Sequence, residues 1–280
     1  MKRNHRIAII FTAALLIISV FTGTHSSALS EQLFITVKIN GQPIFVDTNP
    51  YIKQGRTFVP IRFVAEAFNM EVEWIQDEKK AVLKNEETTI EMWLDSNRLV
   101  VNGEEKEMDV CIEGVEGRTM VPIRHFAEIL DFTVKWSDLT CSVELVKEGV
   151  EVPASSLMNR SYTDEDLMWL ARIVDVEAHN LGIDAKVAVA NVVLNRKKSP
   201  SFPNTIYGVI FDTKYSKQFP PAHRSGFNDR VPNKSSVIAA KMALEGINNI
   251  DECLFFNDEP FKSKKKDELY KVIDGEYFYY

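Results

Sequence analysis

Residues 170–203 read LARIVDVEAHNLGIDAKVAVANVVLNRKKSPSFP. The spacing of apolar residues predicts two helices joined by a short polar turn. On a helix starting near Thr163, Leu167, Leu170, Ala171, Val174 and Ala178 fall on one apolar stripe. Glu177 lies just before the turn, one helical turn from Ile173 and Val174, and so borders that stripe. Partial desolvation there raises a carboxyl pKa, as a general acid working near neutral pH requires. The same spacing suits a helix-end glutamate that reaches into water, so spacing alone leaves both roles open.

Working outward, Thr163-Asp-Glu-Asp166 supplies an N-cap hydroxyl followed by acids that suit the helix dipole. The second helix runs over about residues 184–198, and Ser199 to Pro203 stop it. A short helix follows over 205–211 and a longer, alanine-rich one over 235–247. Strands are predicted over 253–256, 269–273 and 277–280, the last two joined by an Asp274-Gly275 turn. Helices first and a small sheet last make a mainly helical α+β domain over residues 161–280. Residues 148–160 carry Gly, Pro and paired Ser without periodicity and read as a linker.

Upstream, GRTFVPIRFVAEAF from Gly55 returns as GRTMVPIRHFAEIL from Gly117, a shift of 62 residues. Each copy has alternating segments, one amphipathic helix with proline in its first turn, and a further strand ending at Trp74 or Trp136. This predicts one β-rich unit with two helices over residues 29–147. The doubled motif resembles the copper amine oxidase N-terminal-like (stalk) domain. That resemblance implies a wall-associating or spacer module, with wall or spore-coat proteins as possible partners. It implies no copper site: His125 is the only histidine of the region, and one imidazole holds no copper. Arg62 and Arg124 suit either contact with an anionic polymer or a structural, helix-capping role.

Residues 1–28 have the pattern of a secretory signal: Lys2, Arg3 and Arg6, an apolar run, then small residues ending at Ala28. The expected location is outside the cytoplasm, at the cell wall or spore, with cleavage after Ala28 or retention as an anchor. The net charge is −7, and the predicted signal contains no acidic residue, so the remainder is more acidic still. That acidity argues against a nucleic-acid partner. Cys111 and Cys141 fall in one unit and could pair, Cys253 being the odd one. No Cys/His cluster has zinc spacing, so neither a metal nor another cofactor is expected.

In the C-terminal domain, Glu177-Ala178, AVANVVLNR over 188–196, SPSFPNTI over 199–206, Gln218-Phe219 and LFFN over 254–257 occur in order. Together they resemble the cell wall hydrolase family of SleB-type spore-cortex-lytic enzymes. The resemblance implies a lysozyme-like fold, cleavage of peptidoglycan glycan strands and one catalytic glutamate, at Glu177. A lytic transglycosylase needs no second enzyme carboxylate, unlike two-carboxylate glycosidases. Asp175 points roughly 160° away from Glu177 at about 100° per residue and makes a poor partner. Gln218, Phe219, Asn257 and Tyr279 are candidate substrate contacts; Gln218 and Asn257 suit equally a backbone-satisfying role, and the aromatics a core role. Asn195 and Arg196 read as structural groups meeting helix-end carbonyls. The sequence departs from the family at His179 to Gly182, at Pro220-Pro221 and at Tyr277, which stands where a histidine is usual. A hydrolytic muramidase and a silent wall-binding protein remain as alternatives.

Overall fold

The structure, a computed structural model, describes residues 29–214 and 216–280. The predicted export signal lies outside the described residues. Among them, no helix is long and apolar enough to cross a membrane.

The N-terminal part comprises β1 (Thr36–Ile39), β2 (Gln42–Pro43), β3 (Tyr51–Lys53), β4 (Arg56–Pro60), α1 (Ile61–Ala67), β5 (Glu71–Ile75), β6 (Lys80–Lys84), β7 (Thr89–Trp93), β8 (Arg98–Val101), β9 (Glu104–Glu107), β10 (Glu113–Val115), β11 (Arg118–Pro122), α2 (Ile123–Ile129), β12 (Thr133–Ser137) and β13 (Ser142–Val146). Adding the repeat shift of 62 to β3, β4, α1, β5 and β6 reproduces β10, β11, α2, β12 and β13 residue for residue. The repeat seen in sequence is therefore a repeat of structure.

Each G-R-T segment follows a tight hairpin turn whose central residues have positive φ: Gln54 and Gly55 at 50° and 71°, Glu116 and Gly117 at 49° and 75°. Two successive positive values give the turn that matches strand twist, and glycine meets them at least cost. Pro60 and Pro122 then end the strands and cap the helices. Strands β4 and β11 pair antiparallel with Val59 opposite Val121, its own repeat equivalent, so a local twofold passes between them. They are the middle of the sheet β10-β11-β4-β3. A second sheet runs β5 through β9 in order, and a third joins β12, β13, β1 and β2, with β1 parallel to β13. The core between these layers includes Phe68, whose ring lies 4.4 Å from Phe132 and 5.6 Å from Phe126.

Residues 148–160 are not bare linker. They hold a short 3-10 turn at Ala154–Ser156, and Phe45 N and Met158 N form backbone hydrogen bonds with Ser156 O and Pro43 O. Satisfying the open edge of β2 draws this segment onto the sheet.

The C-terminal part comprises α3 (Asp164–Glu177), α4 (Ile183–Lys198), α5 (Ile206–Ile210), α6 (Lys234–Leu244), β14 (Phe255–Asn257), β15 (Leu269–Ile273) and β16 (Glu276–Tyr279). The three strands form one antiparallel sheet in the order β14-β16-β15. Every residue of α4 from Ala185 to Arg196 is buried, polar ones included. It is the central helix, wrapped by α3, α5 and α6, which explains why its sequence shows no strong polar face. The helical domain and the sheet-rich domain fit the expected α+β class.

The two parts meet over buried polar contacts. Lys241 of α6, 1% exposed, donates to Thr36 Oγ1, Thr140 O and Cys141 O at 2.8, 2.8 and 2.9 Å. Lys38 of β1 pairs with Asp164 at the start of α3. All three cysteines are free: Cys111 is exposed, Cys141 and Cys253 buried, so Cys111 and Cys141 do not pair.

Candidate active site

Helix α3 brings Glu177 to its place. Thr163 and Asp166 form a reciprocal capping box, with both bonds at 3.0 Å, and the apolar stripe from Leu167 to Val174 is fully buried. Glu177 is the last residue of the helix. Beyond it, Lys186, itself 1% exposed, donates Nζ to Ala178 O, His179 O and Leu181 O at 2.5, 2.7 and 3.0 Å. A buried ammonium thus satisfies the cap carbonyl and two carbonyls of the following turn and fixes that turn. Asp274 Oδ2 accepts from Gly182 N at 2.9 Å, tying the β15–β16 hairpin to the same turn. A Cβ on Gly182 would lie 2.7 Å from that oxygen, so a larger residue there would displace the Asp274 side chain.

Glu177 is half-buried, and its Oε1 has neither solvent nor a hydrogen-bond partner. Its carboxyl is pushed from 4.5 to about 7, chiefly by burial, then by repulsion from Glu276, with Arg224 and Arg196 opposing. Such a group holds a proton near neutrality. Arg196 is 4% exposed. Its Nε donates to Leu254 O at 2.7 Å, and its guanidinium lies 5.0 to 5.6 Å from the rings of Phe219, Phe202 and Phe255. Burial lowers it to about 10, and its Nη1 also lacks a partner. Glu177 Oε1 and Arg196 Nη1 are two of six buried side-chain polar atoms without a partner among the described residues.

Asp175 does something else. It is 1% exposed and accepts from Arg230 Nε at 2.5 Å, and from Asn233 N and Ser236 Oγ at 3.1 Å each. Burial alone would raise its carboxyl, but these donors hold it below the usual carboxylate range. It joins α3 to the start of α6 and is no proton donor near neutral pH. A cavity of about 350 Å³, lined by Asp175, Val176, His179, Arg224, Phe227 and Arg230 among others, flanks the end of α3 beside Glu177.

The predicted substrate contacts differ in burial and in partners. Gln218 is half-buried, and its Nε2 donates to Ser216 Oγ at 3.2 Å. Asn257 is half-buried, and its Nδ2 donates to Glu259 O at 2.8 Å. Phe219 is 1% exposed, packed beneath Arg196. Tyr279 is 3% exposed, and its hydroxyl accepts from Phe261 N at 3.3 Å. Phe219 and Tyr279 are therefore buried support residues in place of groove walls, Phe219 packing on Arg196 and Tyr279 on Phe261. Asn195 donates to Asp251 O and Cys253 O at 2.8 and 3.0 Å, a structural role as expected. Glu276, whose carboxyl is raised by burial and by Asp258, was not anticipated. The Asp274-Gly275 turn was the available signal: it starts the last strand beside the α3–α4 turn. Among the described residues no group of three His, Cys, Asp or Glu side chains is placed to hold a metal ion.

Residues 182–279 match the family described as Cell Wall Hydrolase. Residues 38–145 match the copper amine oxidase N-terminal domain. The spore cortex-lytic enzyme of Bacillus subtilis (strain 168) is 31% identical over 102 residues, covering 35% of this chain and 31% of that protein. The spore cortex-lytic enzyme of Bacillus cereus (strain ATCC 14579) is 31% identical over 121 residues, 42% of each chain. The chain thus spans less than half the length of these curated relatives. Among solved structures, the catalytic domain of the germination-specific lytic transglycosylase SleB from Bacillus anthracis is 28% identical, with 44% of this chain and all (100%) of that chain covered and a TM-score of 0.38. The matched stretch of the hydrolase domain begins after Glu177, so the case for that residue is geometric.

Proposed function

We propose that the chain is an exported lytic transglycosylase that cleaves peptidoglycan between N-acetylmuramic acid and N-acetylglucosamine, with Glu177 as acid and then base. We also assign residues 29–147 to a wall-directed unit, 148–160 to the connection and 161–280 to the catalytic domain. The carrying observation is the partnerless Oε1 of Glu177 on a carboxyl raised to about 7. Glu177 gives its proton to the glycosidic oxygen as the bond to the muramic anomeric carbon breaks, and the glucosamine leaves as an alcohol. The muramic 6-hydroxyl then attacks that carbon, its proton passes to the Glu177 carboxylate, and a 1,6-anhydro end results with the enzyme restored. Arg196 and Arg224 stabilise the carboxylate that exists between the two transfers.

Muropeptides released from purified spore cortex and from vegetative wall, analysed by mass spectrometry for the wild type and Glu177→Gln, test this. Anhydro ends from the wild type alone support the reading. Hydrolysis is the second reading, favoured by the second raised carboxyl, Glu276, near Glu177; reducing ends in place of anhydro ends select it. No release from either wall, with the protein folded, rejects both.

A further inference from the structure

The N-terminal part contains two clefts that the hydrolase reading does not use. One, of about 220 Å³, is lined by Arg56, Thr57, Arg124 and Trp136 among others. The other, of about 430 Å³, is lined by Arg118, Thr119, Arg62 and Trp74 in the same roles. Each residue of one becomes its counterpart in the other through the repeat shift of 62. The exchange is crossed: the tryptophan and the P-I-R arginine come from one repeat, the G-R-T segment from the other. The antiparallel pairing of β4 with β11 across the local twofold imposes this.

The side chains are prepared alike in both clefts. Trp74 Nε1 donates to Gln76 Oε1 at 2.8 Å and Trp136 Nε1 to Asp138 Oδ1 at 2.9 Å. Each indole is thus fixed by its edge, and each residue remains 36% exposed. Arg118 is paired with Asp47 and Arg56 with Asp109, aspartates that are again repeat equivalents. Arg62 and Arg124 differ: both are exposed, and neither has an ion-pair or hydrogen-bond partner among the described residues. A purely structural, buried role for them is therefore ruled out. In a chain of net charge −7, two unpaired guanidinium groups beside two fixed aromatic faces form a specific arrangement.

From this crossed pair we propose that the N-terminal part holds an anionic glycan strand in two equivalent clefts, each stacking a sugar ring on Trp74 or Trp136 and pairing a carboxylate with Arg62 or Arg124. An indole face covers the apolar face of a pyranose, and a guanidinium takes a carboxylate with two parallel bonds. Peptidoglycan supplies both groups, through its amino sugars and its peptide carboxylates; in naming that polymer the proposal rests on the wall-substrate reading above. A nucleic acid fits less well, since Asp47 and Asp109 neutralise the other arginine of each cleft and β9 presents three exposed glutamates, Glu104, Glu105 and Glu107. Two sites on one polymer reinforce each other by avidity.

The test is co-sedimentation of the full chain carrying Glu177→Gln with insoluble wall sacculi stripped of teichoic acid, and with chitin as an uncharged polymer of the same amino sugar. Sacculi are expected to bind and chitin to bind far more weakly, with binding falling as salt rises. Arg124→Gln or Arg62→Gln alone is expected to weaken binding roughly tenfold, and the pair roughly a hundredfold. Trp74→Ala with Trp136→Ala is expected to match the arginine pair. If that tryptophan pair melts early, the arginine pair, at exposed positions, carries the test. Undiminished binding by the arginine pair overturns the proposal, as does equal binding to chitin or loss of binding once teichoic acid is removed. Binding by a chain with Glu177 intact that releases no muropeptide sinks the catalytic reading and leaves the clefts standing; release without binding does the reverse.

Discussion

Glu177→Gln makes the native chain more stable at neutral and alkaline pH, and the gain has a pH signature. In the folded chain the Glu177 carboxyl sits at about 7 against 4.5 for the free group. Between those values the native state holds a proton that the unfolded state has lost. Stability from this group is full below 4.5, falls as pH rises to 7, and stays lost above. At about 1.36 kcal/mol per pH unit the loss is at most about 3.4 kcal/mol, and part exposure reduces it to roughly 2–3. Glutamine has nearly the shape of the protonated acid and no ionisation, so it escapes this loss. Urea unfolding followed by circular dichroism at the helical band, for both chains at pH 4.5, 6, 7 and 8, measures the difference. The curves are expected to coincide at pH 4.5 and separate by about 2–3 kcal/mol at pH 8. A gap that does not widen over this interval refutes the claim that burial holds this proton.

Other outcomes follow from the same geometry. Asp175→Ala leaves Arg230 and the Ser236 hydroxyl without their acceptor and is expected to cost about 3–5 kcal/mol by chemical denaturation. Lys186→Met leaves three carbonyls open beyond α3 and is expected to lower kcat at least tenfold by displacing Glu177, with faster amide exchange over residues 178–182. Phe219→Ala is expected to cost about 3–5 kcal/mol in stability, because the ring lies in the core; a raised KM with unchanged stability would return it to the groove. Activity is expected to fall above pH 7 as Glu177 loses its proton, and Glu276→Gln to move that alkaline limb to lower pH by removing a repulsion.

Much of the architecture was legible in local pattern. The repeat from Gly55 to Gly117, the Thr163 cap and the stripe that carries Glu177 all depend on neighbours within a few turns, and the structure follows them closely. What escaped depended on contacts far apart in the chain. Nothing near Lys241 announces a buried ammonium, because its partners are the Thr36 hydroxyl and the carbonyls of Thr140 and Cys141, 205, 101 and 100 residues upstream. Phe219 and Tyr279 suit a groove or a core role in sequence, since an aromatic beside a polar residue gives no sign of which side faces a helix. Glu276 was hidden for a similar reason: only the hairpin folded back on the α3–α4 turn brings its charge to bear on Glu177.

The crossed construction of the two clefts bears on ancestry. No single repeat contains both the tryptophan and the G-R-T strand that faces it, so a chain of half this length has no complete cleft of its own. It would acquire one only by pairing with a second copy of itself, β4 against β4, in a self-complementary twofold contact of the kind that dominates homodimers. Fusion of two such copies end to end would keep both clefts, free them from concentration-dependent assembly, and leave each half able to drift separately. The divergence of Phe63 and His125, repeat equivalents of which only the histidine binds an aspartate, Asp109, fits that history.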